Sequence, residues 1–279
     1  MRRLVCLSLI ALLPAISIAS ECRYTAERNF DIDAAGLRTL AFELGSSDVI
    51  VEGVPGLARI EVRGRACASD EAWLDQLTVD QKRSGDRVEV TPHDGRDLYG
   101  SNWFGSSYAY VDLRVRAPTQ LAVAIRSQSG DASAENVAAL DFEGSSGDLE
   151  ARHIAGVVGL KVSSGDVRAT DIGRVDIRSV GSGDISLRDV HSDVEVGRSG
   201  SGDLQFDSTG SVRIGSVGSG DVSLTRANGD VSIDSIGSGD VNVNGVEGNL
   251  TVGSIGSGDV RHRNVRGKTS VPRDDNDDD

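Results

Sequence analysis

Cysteine, aromatic residues and positive charge are all scarce in this chain of 279 residues. It has three cysteines, 4% aromatics, and 29 Lys+Arg against 43 Asp+Glu, for a formal net charge of -14. So few cations argue against binding a nucleic-acid backbone, which needs clustered lysine and arginine. So few aromatics argue against the core of a conventional globular enzyme. Catalytic signatures are missing too. There is no serine nucleophile elbow, phosphate loop or dinucleotide fingerprint, and no Lys follows Gly-Ser-Gly-Asp as a phosphate loop would require. His93, His153, His191 and His262 are scattered and share no metal-ligand spacing. The expectation is a protein that is not an enzyme and carries no cofactor.

The first residues carry a different signal. Met1-Arg2-Arg3 is followed by an apolar run from Leu4 to Ala19, and Ser17-Ile18-Ala19 places small residues at a cleavage site. The run is under 18 residues long and nothing like it follows. It predicts a signal peptide over 1–19, export to the periplasm, medium or cell surface, and no membrane insertion of the mature chain. Glu21 before Cys22 disfavours lipidation. Cys6 leaves with the signal, so Cys22 and Cys67 remain as an even pair in an oxidising compartment and predict a disulfide.

What the chain has in abundance is glycine, 34 residues of it, and a repeat. Ser-Gly-Asp occurs eight times after residue 128, with glycines at Gly130, Gly147, Gly165, Gly183, Gly202, Gly220, Gly239 and Gly258, spaced 17–19 residues apart. A fixed period of this size means a solenoid. Each period holds two apolar bursts in which apolar residues alternate and a third follows three positions on, as in Val231, Ile233, Ile236 and Val241, Val243, Val246. Alternation is the strand signature. The fold expected is all-β, a parallel β-solenoid of two short strands per coil. One unit cannot bury its own apolar residues, so coils must stack, about 4.8 Å apart. A thin Val/Ile/Leu interior leaves no room for rings, and only Phe142 and Phe206 fall between residues 118 and 272.

In Ser-Gly-Asp the glycine suits a turn with positive φ, and Ser and Asp side chains can cap backbone N–H groups. Stacking lines up the aspartates, and neighbouring carboxylates 4.8 Å apart repel by about 1 kcal/mol in water. Local N–H donors, water or cations must offset this. Asp184, Asp203, Asp221, Asp240 and Asp259 are therefore weak candidates for a calcium ladder. The structural turn is the leading reading, because the calcium-binding nonapeptide pattern needs an Asp where this chain has an inward residue such as Ile185, and calcium wants six or more oxygens. A threonine ice-binding array is disfavoured by mixed outward residues such as Ser223, Asn242, Arg213 and Gln205.

Residues 20–117 differ, holding nine of the eleven aromatics. Strands are expected at Thr39–Leu44, Val49–Val54 and Ile60–Arg65, a short helix near 71–77, and a hairpin around Ser84-Gly85-Asp86. Ser46-Ser47-Asp48 is a degenerate copy of the later turn, so irregular first coils fall here. Tyr99, Trp103, Phe104, Tyr108 and Tyr110 crowd one Gly/Ser-rich stretch. They read as a contact surface or, preferably, as a flap covering the solenoid. The solenoid proper is expected over 118–272. The last residues, 273–279, form an acidic tail expected to be disordered, a cap against end-to-end stacking.

The signal, the β-rich lead with its Trp/Tyr segment, and repeats such as Ser182-Gly183-Asp184-Ile185, Ser219-Gly220-Asp221-Val222 and Ser238-Gly239-Asp240-Val241 resemble the bacterial putative-adhesin family. The resemblance spans roughly residues 30–270. It implies a β-solenoid domain of unknown function, related in style to autotransporter-adhesin heads, and carries over no binding residues. The function expected is adhesion or envelope interaction through the outer faces, with an envelope, surface or glycan partner. A periplasmic scaffold is the alternative, and a calcium-binding β-roll the third. A monomer and a head-to-tail assembly both fit open solenoid ends.

Overall fold

Alternation of apolar and polar residues decides which side of each strand faces inward, and the 17–19-residue period decides where each strand stacks. In the computed structural model, residues 22–93 and 107–272 are described. The predicted signal, part of the aromatic stretch (Tyr99, Trp103 and Phe104) and the acidic tail lie outside those residues. The chain is a parallel β-solenoid with two strands per coil.

The leading face, carrying the first strand of each coil, stacks Ala122–Ser127, Ala139–Gly144, the C-terminal halves of Leu149–Val162 and Val167–Val180, then Val194–Ser199, Val212–Val217, Val231–Ile236, Leu250–Ile255 and Thr269–Ser270. The trailing face stacks Ala132–Glu135, the N-terminal halves of the same two long strands, then Ile185–Val190, Leu204–Thr209, Val222–Ala227, Val241–Val246 and Val260–Val265. Ser-Gly-Asp turns join leading to trailing strands.

Columns of like residues fill the interior. Leu149, Val167, Ile185, Leu204, Val222 and Val241 form one, all essentially inaccessible to solvent. Ala151, Ala169, Leu187, Phe206, Leu224 and Val243 form the next. That second column ends at His262, which is exposed in the last full coil. An ionisable residue at an inward position halts further stacking.

The lead segment is part of the same sheet. Thr39–Leu44 and Val49–Val54 form a coil directly below Ala122–Glu135. Arg87–Pro92 and Ala109–Pro118 stack beneath that coil in turn. The chain thus lays down one coil, passes under it, and returns above it. The bottom is closed by antiparallel strands: Arg59–Ala68 pairs with Ala109–Pro118, Val79–Ser84 with Arg87–Pro92, and Tyr24–Glu27 and Phe30–Asp33 with Arg59–Ala68. Antiparallel closure satisfies edge groups that would otherwise recruit other strands. The expected helix is a 3-10 helix, Glu71–Gln76, started by the Asp70 side chain accepting the Ala72 N–H. Cys22 and Cys67 are joined in a disulfide with Cα atoms 5.6 Å apart.

Candidate binding face

The Ser-Gly-Asp corner is built by contact, not by unusual backbone. None of the eight repeat glycines has positive φ, which corrects the expectation drawn from glycine's freedom. Each is needed because a Cβ there would lie 1.9–2.1 Å from the carbonyl oxygen of the equivalent residue one coil below, as Gly202 would against Gly183. Coils stack so closely at this corner that only hydrogen fits. Ser47 occupies the glycine position in the lowest such turn, and its buried hydroxyl has no hydrogen-bond partner among the described residues.

Left-handed backbone occurs at the other corner. Asn136, His153, Asp171, Asp189, Ser208, Arg226, Gly245 and Asn264 all have positive φ and all fall one residue before the last inward position of a trailing strand. Each turns two consecutive side chains outward, which produces the three-residue gap in the apolar pattern. At one point this column forms a clasp. Asp171 meets His153 Nδ1 at 2.6 Å and His191 Nε2 at 2.5 Å, one on each oxygen. Those two hydrogen bonds hold the Asp171 carboxyl below its ordinary range.

The aspartates form a ladder of hydrogen bonds. Asp203 N donates to Asp184 Oδ1 at 2.9 Å, Asp221 N to Asp203 at 2.9 Å, Asp240 N to Asp221 at 2.8 Å, and Asp259 N to Asp240 at 2.9 Å. The same bond runs down through Asp166, Asp148 and Asp131 to Asp48, and Asp48 donates in turn to Asp112. Each carboxylate thus accepts a backbone N–H from the coil above, and this local donor offsets the repulsion from the neighbouring carboxylate. At the top, Arg261 pairs with Asp240 at 2.9 Å and Asp259 at 2.6 Å. The N–H bond to Asp259 and then Arg261 lower the Asp240 pKa. At the bottom, burial raises the pKa of Asp48 and of Asp112; the charge of Asp131 adds to the first shift and that of Asp48 to the second. Among the described residues no group of three His, Cys, Asp or Glu side chains is arranged to hold a metal ion.

The two described aromatics of the crowded stretch face the N-terminus. Tyr108 Oη accepts the Arg23 N–H at 3.0 Å, and Tyr110 Oη lies 3.7 Å from the Cys22 sulfur. Burial, then the charge of Asp112, raises the Tyr110 phenol. These rings pack on the disulfide-tied end of the chain.

What remains outward is the surface of the two faces. On the trailing face, register places Arg168, Ser186, Gln205, Ser223 and Asn242 in one row, and Thr170, Arg188, Asp207, Thr225 and Asn244 in the row beside it. This is a flat strip of hydroxyl, amide and charged groups, one pair per coil, about 4.8 Å from rung to rung. Ser186, Arg188, Gln205, Asp207, Ser223 and Thr225 line a shallow depression of about 190 Å³ on it. The leading face is more heavily ion-paired at its lower end, where Arg126 bridges Glu43 and Glu143, and Arg178 bridges Asp141 and Glu143. Sequence reasoning noted the mixed outward residues but could not sort them by face without the register.

A family model described as Toastrack DUF4097, a domain of unknown function, matches residues 69–227. No curated protein matches the chain. Among solved structures, a putative lipid binding protein from Parabacteroides distasonis ATCC 8503 is 13% identical, with 88% of this chain and 97% of that one covered and a TM-score of 0.50. A putative adhesin from Bacteroides fragilis NCTC 9343 is 11% identical over 89% of this chain and 98% of that one, with a TM-score of 0.43. A putative cell adhesion protein from Clostridium sporogenes ATCC 15579 is 10% identical over 89% and 100%, with a TM-score of 0.32. The likeness at a TM-score of 0.50 is one of fold.

Proposed function

The chain belongs to the Toastrack DUF4097 family, and from that premise we propose that it is a non-enzymatic, exported adhesin-like module that contacts an envelope or surface glycan through its trailing face. The observation that carries this reading is the two-row strip from Thr170 to Asn244, in which hydroxyl and amide groups repeat at the rung spacing with no inward function. Saccharides are bound by such arrays of hydroxyls and amides, and many weak contacts along one rigid surface give useful avidity. The carboxylates that a hydrolase would need are tied into coil-to-coil bonds on the ladder, which favours a structural role for them. Export is supported by the signal-like first 19 residues and by the Cys22–Cys67 disulfide.

The test is binding of the purified mature chain to surface polysaccharide from the producing cells. Saturable binding that weakens when Gln205, Ser223 and Asn242 are changed together to Lys supports the reading. Binding unaffected by that change, or absent altogether, moves the chain to the periplasmic scaffold alternative.

A further inference from the structure

Most arginines on the solenoid's outer surface have an acidic partner: Arg126, Arg152, Arg174, Arg178, Arg226, Arg261 and Arg266 are all ion-paired. Among the described residues of the solenoid, Arg188 is one of four exceptions, with Arg198, Arg213 and Arg263, and it is the one in the middle of the polar strip. It is exposed and makes no hydrogen bond or ion pair among the described residues. Asp207, beside it in register, is already engaged by Arg226 and Ser208. The next residue, Asp189, belongs to the left-handed corner column. Arg188 therefore offers a free guanidinium at the rim of the depression whose other polar groups are Ser186, Gln205, Ser223, Thr225 and Asp207, the last with its carboxylate held by Arg226.

We propose that this depression is a subsite for a carboxylated sugar, a hexuronate unit of an acidic polysaccharide, with its carboxylate on Arg188 and its ring hydroxyls on Gln205, Ser223 and Thr225. The inference rests on the glycan-binding reading and narrows it. A planar guanidinium takes a carboxylate through two parallel N–H bonds, and amide and hydroxyl side chains both donate to and accept from sugar hydroxyls. Charge complementarity selects the acid, because Arg188 is the one cation among the depression's lining residues and has no acid of its own to neutralise it. The site is shallow, so a single unit binds weakly and the stacked rungs supply the rest through avidity.

The experiment titrates the full mature chain with an oligogalacturonate and, separately, with the same oligosaccharide fully methyl-esterified, by calorimetry at low salt. The expected result is that the acid form binds at least tenfold more tightly than the ester, and that Arg188→Gln removes this preference while Arg213→Gln on the leading face leaves it intact. Both positions are exposed, and a thermal melt matching the wild type confirms that the variants fold. Equal binding of acid and ester, or a preference that survives Arg188→Gln, overturns the subsite and leaves glycan binding standing. Binding of neither form also overturns the subsite, and the surface-polysaccharide assay then decides separately whether the broader reading stands.

Discussion

Replacing one turn glycine by alanine tests the packing argument. In Gly202→Ala the new Cβ would lie 1.9 Å from the Gly183 carbonyl oxygen. Ordinary contact needs about 3.4 Å, so the two coils must separate locally by over an ångström. That displacement stretches three coil-to-coil bonds at the corner: Ser201 N to Gly181 O at 2.8 Å, Asp203 N to Asp184 Oδ1 at 2.9 Å, and Ile185 N to Asp203 O at 2.9 Å. At about 1 kcal/mol each, their loss costs about 3 kcal/mol. Urea unfolding followed by circular dichroism reads this as a lower midpoint, and a melting scan as a fall of roughly 6–12 °C. A second substitution separates two explanations. If glycine were required for left-handed backbone, Gly202→Asn would be milder than Gly202→Ala, because Asn tolerates that region. Steric exclusion makes Asn at least as damaging. A Gly202→Ala midpoint within 0.5 kcal/mol of wild type, or an Asn variant clearly more stable than the Ala one, refutes the close-contact account.

Other outcomes follow from the same structure. Replacing Cys22 and Cys67 by Ser opens a loop with a sequence separation of 45 and should lower stability by about 4 kcal/mol on the chain-entropy model, measurable by urea unfolding with and without reductant. Phe206→Ala empties a buried position in an inner column and should cost about 3–5 kcal/mol. Asp240 has a depressed pKa, so its ionised form adds stability that is present above the unfolded value of about 4 and is lost as pH falls through the lower folded value. Asp240→Asn should therefore be less stable than wild type at pH 7 and equal to it at the lowest pH. Asp112 is the opposite case. Its pKa is raised by burial, so the ionised form costs stability at pH 7, and that cost disappears as pH falls through the raised folded value and below the unfolded one. Asp112→Asn keeps an acceptor for the Asp48 N–H and should be more stable than wild type at pH 7, with the gain vanishing below pH 4 in pH-dependent melts.

The regular coils were readable because each obeys the same period, and the inward positions of the trailing strands follow from it residue by residue. The strands Thr39–Leu44 and Val49–Val54 were also evident, and Asp48 marked its turn as a member of the ladder. The order of the lowest coils was hidden. Nothing local in Ala109–Pro118 says that it runs beneath Val49–Val54, because that pairing spans the hairpin and the antiparallel strand between them. The left-handed column was hidden as well, since Asn, His, Asp, Ser and Arg share no residue type to betray a common backbone. The role of the turn glycines was misread for a physical reason. Glycine serves both positive φ and close approach, and only the stacked neighbour distinguishes them. Arg188 looked like any other surface cation until register and the pairing of Asp207 with Arg226 left it unpartnered within the depression.

The central claim is contact with a target outside the cell, and location tests it most directly. An epitope tag placed after Asp279 can be challenged with proteinase K on intact cells and again after the outer membrane is permeabilised. The account predicts that the tag is digested on intact cells while a periplasmic control protein survives. A tag that is protected on intact cells and lost only after permeabilisation contradicts it and assigns the solenoid to a periplasmic scaffold.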